Sequence, residues 1–82
     1  MTEAIPMGRY FFDSGDLEDE VGIECTGLEE ARRAGLEGLK DLARHALRDV
    51  NGQQLFLEIR NESGDKLLRL SIRLHVKRWD SI

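Results

Sequence analysis

Residues 26–52 read TGLEEARRAGLEGLKDLARHALRDVNG, and the fold turns on them. Apolar side chains or glycine recur at Leu28, Ala31, Gly35, Leu39, Leu42, Ala46 and Val50. Steps of three or four residues match the turn of an α-helix and draw one apolar stripe along it. Leu36, Ala43 and Leu47 widen one edge, while Glu30, Arg33, Glu37, Asp41, Arg44 and Arg48 take the opposite face. Thr26 followed three residues later by Glu29 predicts a capping box, with the hydroxyl accepting a free backbone N–H and the carboxylate reaching back. Glu29 and Glu30 suit the positive end of the helix dipole; Arg44 and Arg48 suit the negative end. Asn51-Gly52 supplies a left-handed stop. The expected helix is Leu28–Val50. Gly35 and Gly38 lie inside it, where each is worse than alanine by about 1 kcal/mol. Gly35 is on the stripe, which predicts close approach of helix to sheet, with the rings of Tyr10–Phe12 as candidate neighbours. Gly38 is off the stripe.

Outward from the helix lie strands. Downstream, Leu55–Arg60 carries Leu55, Leu57 and Ile59 on one face, and Leu67–Lys77 carries Leu68, Leu70, Ile72, Leu74 and Val76 on one face. Period two is the strand signature. Asn61-Glu62-Ser63-Gly64-Asp65-Lys66 reads as the hairpin loop between them. Pairing Arg60 with Leu67 sets Ile59 opposite Leu68, Leu57 opposite Leu70 and Leu55 opposite Ile72, so the apolar faces coincide. A one-residue slip would destroy that match. The same register sets Glu58 beside Arg69. Upstream, the aromatic run Tyr10-Phe11-Phe12 predicts a strand over Arg9–Asp13. Ser14-Gly15-Asp16 is a turn, Leu17–Glu20 an acidic connection, and Val21–Cys25 a second short strand.

The order strand, strand, helix, strand, strand predicts an α+β fold: a two-layer β-β-α-β-β sandwich with one long helix packed on an antiparallel sheet. A helix of about 20 residues is roughly 30 Å long, as is a strand of nine or ten, so the helix can cover the hairpin. The sheet's other face stays open. Residues 1–8 read as a lead-in, 9–79 as one domain and 80–82 as a tail. At 82 residues there is room for one core only.

The net charge of −4 is unevenly spread. Residues 1–30 hold nine acids and one base, whereas residues 51–82 hold six bases and four acids. Internal pairing is the first expectation; nucleic-acid binding wants a net basic face and is disfavoured. The lone cysteine, Cys25, excludes an internal disulfide and points to a reducing, cytoplasmic setting. A small buried hydrophobe is its expected role. No signal peptide and no run long enough to span a membrane is visible.

The combination Arg9-Tyr10-Phe11-Phe12-Asp13, Asp19-Glu20-Val21-Gly22-Ile23-Glu24, Leu28-Glu29-Glu30-Ala31-Arg32-Arg33 and Arg60-Asn61-Glu62-Ser63-Gly64 resembles a family of short bacterial domains of unknown function, common in rhizobia and related alphaproteobacteria. The resemblance covers about residues 8–76. It implies an α+β bacterial cytoplasmic protein and supplies no activity, cofactor or catalytic residue. Gly35 and Gly38 depart from it, standing where a helix former is expected. A looser likeness, in the strand–strand–helix–strand order alone, is to HicB-type antitoxin domains.

The residues that could carry chemistry are few. Asp13, Asp16, Asp19 and Glu20 form an acidic loop, but their spacing is not that of an EF-hand, so no metal is expected. Arg32 lies on the apolar stripe one turn after Leu28, where an unpaired charge is costly, and the expectation is that it pairs with one of Asp13, Asp16 or Asp19. His45 and His75 have no nucleophile partner; no enzyme activity and no cofactor are expected. Phe56, Arg60, Arg69, Arg73, His75, Lys77 and Trp79 form the candidate interaction face, with Phe56 the one aromatic on the sheet's outer surface. Trp79 and Ile82, trailing the last strand, could pack back or form a contact patch. The expected role is a non-enzymatic interaction or accessory module, acting through its sheet face or edge strand on a second copy or a small protein partner. The alternative is a nucleic-acid-linked regulator of the antitoxin type.

Overall fold

A computed structural model describes residues 8–15, 17–46 and 52–80. Asp16, the helix end at Leu47, Arg48, Val50 and Asn51, and Ile82 lie outside the described residues. Five elements follow in the expected order: β1 (Gly8–Asp13), β2 (Ile23–Cys25), α1 (Leu28–Ala46), β3 (Gln54–Arg60) and β4 (Lys66–Arg73). The strands make one antiparallel sheet in the order β2-β1-β3-β4, with α1 against one face.

The β3–β4 register is the one the apolar pattern demands. Leu55 faces Ile72, Leu57 faces Leu70, Ile59 faces Leu68, and Glu58 faces Arg69. A bulge at the loop end pairs Arg60 with Lys66 rather than Leu67. Leu57, Ile59, Ala31, Leu39 and Cys25 are buried, and Tyr10, Phe12, Leu42, Leu55, Leu68, Leu70 and Ile72 pack around them half-buried. Helix and sheet close to near contact at Gly35. A methyl there would lie 3.0 Å from Ile59 Cδ1, 3.1 Å from Leu70 Cδ1 and 3.4 Å from Leu57 Cδ2. The neighbours of Gly35 are thus the β3–β4 aliphatics, not the rings of Tyr10–Phe12.

The helix starts at Leu28 as expected, β1, β3 and β4 each start one residue earlier than expected, and the helix cap and the extent of two strands differ. The helix start uses Thr26 with Glu30, not Glu29: the Thr26 backbone N–H and hydroxyl both donate to the Glu30 carboxylate, at 3.2 Å each. The Ala31 N–H bonds the Gly27 carbonyl, so Gly27 occupies the cap and Glu30 the third helical position. The second strand is Ile23–Cys25, not Val21–Cys25, because the Val21 and Gly22 N–H groups donate to Asp19. The last strand ends at Arg73, not Lys77. Leu74 still bonds back, donating to the Gln53 carbonyl at 2.7 Å and accepting from Gly52 at 2.8 Å. His75 and Lys77 lie past Arg73, the last residue of the strand.

Candidate interaction surface: the outer sheet face and the free edge of β4

Alternation along β1 sends Tyr10 and Phe12 toward the helix and Arg9, Phe11 and Asp13 to the outer face. Phe56, Glu58 and Arg60 of β3 and Arg69, Ser71 and Arg73 of β4 share that outer face. Two aromatics therefore lie there, Phe11 as well as the expected Phe56. Each carries an arginine. The Arg60 guanidinium carbon sits 4.5 Å from the Phe11 ring centroid, and that of Arg69 sits 4.4 Å from the Phe56 centroid.

Both arginines are already paired. Arg60 donates to Asp13 at 2.8 Å, to Glu18 at 3.4 Å and to the Asp19 carbonyl at 2.8 Å, with only 20% of its side chain exposed. Arg69 donates twice to one Glu58 oxygen, at 3.2 and 3.0 Å, and Lys66 holds the other at 3.4 Å. The Arg69 hydrogen bond, opposed by partial burial and helped by the Lys66 charge, holds the Glu58 carboxyl below its ordinary pKa. Arg9 donates to the Val21 carbonyl at 2.9 Å and the Glu24 carboxylate at 3.2 Å. A stretch that reads as a basic face is thus largely neutralised by its own neighbours.

The acidic loop folds over this same face. The Asp19 carboxylate accepts the Val21 and Gly22 N–H groups on one oxygen and the Phe12 N–H on the other, at 3.0, 3.1 and 3.1 Å. It thereby replaces the strand partner that β1 loses where β2 stops. Burial works against its ionisation, but the N–H groups of Gly22, Phe12 and Val21 and the Arg60 charge outweigh it and hold its pKa below the ordinary value. Gly22 lies flat against β1: its φ is 75°, and a methyl there would stand 3.0 Å from the Tyr10 carbonyl and 2.8 Å from Arg9 Cγ.

This placement corrects the expected Arg32 pairing. Asp13 and Asp19 lie on the side of the sheet away from the helix, so Arg32 cannot reach them. Arg32 pairs instead with Glu29 on its own helix, at 2.6 and 2.9 Å, in solvent. The cation that ties down the acidic loop is Arg60.

The rest of the expected face divides. Arg73 is exposed at the end of β4, opposite Gln54. His75, Lys77 and Trp79 lie off the sheet; the Lys77 ammonium stacks 4.2 Å from the Trp79 ring centroid, and Trp79 is 82% exposed. His45 Nδ1 donates to the Asp41 carbonyl, 2.9 Å away on its own helix. Cys25 is buried, and burial, with the Glu30 charge nearby, pushes its thiol pKa up. Among the described residues no group of three or more His, Cys, Asp or Glu is placed to hold a metal ion. No helix among them is long and apolar enough to cross a membrane.

The two sheet edges differ. Leu74 bonds toward β3, so by alternation Ile72, Leu70 and Leu68 do too, and Arg69, Ser71 and Arg73 point their backbone N–H and C=O outward; at the bulge, the Leu67 C=O, trans to the Leu68 N–H, also points outward. At β2, Ile23 and Cys25 bond β1 and Glu24 points outward. Around it side chains have closed the edge: Asp19 takes the Gly22 N–H, Arg9 takes the Val21 and Gly22 carbonyls, and Glu30 takes the Thr26 N–H. Among the described residues only β4 offers a continuous open ladder.

Neither the curated proteins nor the solved structures contain a match to this chain. A family model does match, over residues 9–73, which takes in the helix and all four strands but for Gly8 of β1. The chain belongs to that family, described as Domain of unknown function (DUF6894).

Proposed function

We propose that the protein is a non-enzymatic interaction module of the cytoplasm that binds a protein partner through the free edge of β4. The observation that carries this reading is the contrast between the two edges. β2 is short and capped by side chains, whereas β4 leaves the backbone groups of Arg69, Ser71 and Arg73 and the Leu67 carbonyl open. An added strand would find hydrogen bonds there, with the half-buried Leu68, Leu70 and Ile72 beside it on the helix side. Native sheets usually blunt such an edge, and among the described residues of β4 the blunting devices are the charges of Lys66, Arg69 and Arg73.

One observation favours the alternative of nucleic-acid binding: Phe11 and Phe56 sit on the two central strands, each under an arginine. Bases stack on such platforms. Against it, both arginines are bound to carboxylates, and a base would have to displace them. The net charge of −4 opposes phosphate binding as well.

The test is Ser71→Pro. Proline at an outward-pointing edge position removes the free N–H and leaves the β3–β4 ladder intact. Proteins co-purifying with the wild type from the source cell should be lost from the variant while its thermal unfolding stays cooperative. Retention of the same partners by a folded Ser71→Pro would refute the edge. Single-stranded RNA bound with a steep salt dependence would favour the alternative.

A further inference from the structure

The geometry points to a second copy of this chain as the occupant of the β4 edge, paired antiparallel about a twofold axis at Leu70. The inference rests on the edge reading above and adds the partner and the register.

Closure comes first. A sheet that could add strands at both edges would grow into open chains. Here β2 is three residues long, and Asp19, Arg9 and Glu30 occupy the groups flanking Glu24. With one edge open, pairing between identical chains stops at two copies. The product is an eight-stranded sheet with both helices on one face.

Register comes next. Hydrogen-bonded pairs can form only between outward-pointing residues, here Arg69, Ser71 and Arg73, with the Leu67 carbonyl beside them. Three symmetric alignments keep most of the strand in contact, with the axis at Arg69, Leu70 or Ser71. An axis at Arg69 sets that arginine against its own copy. An axis at Ser71 sets Arg69 against Arg73 of the second copy. Like charges directly opposite destabilise a strand pair. An axis at Leu70 instead sets Arg69 against Ser71 and Leu67 against Arg73. On the helix side it sets Leu70 against Leu70 and Leu68 against Ile72, extending the apolar layer across the junction. These three side chains are half-buried, whereas Leu57 and Ile59 on the neighbouring strand are 5% and 0% exposed. The edge row is the part of the apolar layer that α1 leaves incompletely covered.

Cysteine crosslinking tests both claims. Arg69→Cys and Ser71→Cys are made separately, at exposed positions, and each is first checked for a cooperative thermal unfolding because Arg69→Cys gives up the Glu58 pair. Narrow antiparallel pairs place Cα atoms ~5.5 Å apart, within disulfide range. Native Cys25 is 1% exposed and serves as the silent background. Under mild oxidation, the mixture of the two variants should crosslink several-fold more than either alone, and the wild type should sediment as a dimer at about 100 μM, well above the dissociation constants of stable complexes. Ser71→Cys crosslinking to itself would move the axis to Ser71, Arg69→Cys crosslinking to itself would move it to Arg69, and either result overturns the register. A monomeric wild type overturns self-pairing. If Ser71→Pro then still loses a foreign partner, the edge reading survives without it; if the wild type is a dimer that Ser71→Pro leaves intact, the edge reading itself has failed.

Discussion

Replacing Gly35 with alanine adds one methyl group at the point where α1 comes closest to the sheet. Two effects of opposite sign follow. In the helix alone, alanine is better than glycine by about 1 kcal/mol. Against the sheet, the new carbon meets Ile59 Cδ1 at 3.0 Å and Leu70 Cδ1 at 3.1 Å, where carbon atoms prefer ~3.5–4.0 Å. Both contacts are flexible tips, but Ile59 is 0% exposed and has no free space to withdraw into. Overpacking of this kind costs ~1–3 kcal/mol. The net is a loss of about 0–2 kcal/mol. Gly38, one turn on, supplies the control. Its nearest neighbour, Leu57 Cδ1, would lie 3.6 Å from the added carbon, an ordinary contact. Gly38→Ala should therefore keep the helix benefit and stabilise by about 0.5–1 kcal/mol. The two variants should differ by at least ~2 °C in melting temperature for a domain of this size. The assay is thermal and urea unfolding at one low, fixed protein concentration, so that association does not enter. Equal stabilisation by both substitutions would refute the claim that glycine sets the helix–sheet distance.

Gly22→Ala should destabilise by about 1–3 kcal/mol from its left-handed backbone alone, with the Tyr10 carbonyl contact adding to it, read as a lower urea midpoint. Asp19→Asn should cost about 1–2 kcal/mol at pH 7, because an amide N–H₂ would face the Phe12 N–H or the Val21 and Gly22 N–H groups. Since the folded state lowers the Asp19 pKa, its contribution is present above the ordinary aspartate value of about 3.9 and is lost as pH falls through the lower folded value; the wild type and Asp19→Asn should converge in urea midpoint at acid pH. Arg32→Leu should leave the urea midpoint unchanged, its Glu29 pair being solvent-exposed, whereas Arg60→Leu should lower it by freeing the acidic loop.

What was legible in the sequence was what local pattern controls. The β3–β4 register follows from two apolar alternations that match in one way only, so Leu57 and Leu70 could be paired from the sequence. Gly35 was legible as a close approach because it interrupts an apolar stripe, though not its neighbours, which depend on where the sheet order places each strand. The helix start at Leu28 was legible, but its cap missed by one residue because Thr26 can serve Glu29 or Glu30, and only the position of Gly27 as cap decides. Phe11 was legible and missed: if Phe12 faces the core, alternation sends Phe11 outward. The Arg60 site was not legible. Its partners Asp13, Glu18 and Asp19 are more than 40 residues away in sequence and converge only when β1 lands beside β3 and the loop folds over their outer face.

The same side chain therefore has opposite meanings on different strands. Arg60 and Arg69 look alike in sequence to Arg73, as basic residues alternating with leucine and isoleucine. On β3, a central strand, Arg60 has neighbours on both sides, and the one at β1 brings Asp13 within 2.8 Å. On β4, an edge strand, each arginine has a neighbour on one side only. Arg69 faces Glu58 and is neutralised; Arg73 faces Gln54 and has no carboxylate partner among the described residues. Strand order thus sorts charge into what holds the fold and what is left over, and the remainder falls on the same edge that leaves its backbone unpaired. A partner strand must satisfy both at once: it must bring outward-facing N–H and C=O groups, and it must not set a cation opposite Arg73. A second copy meets both conditions, setting Leu67 opposite Arg73, which is why the twofold pairing at Leu70 requires no acidic partner to form.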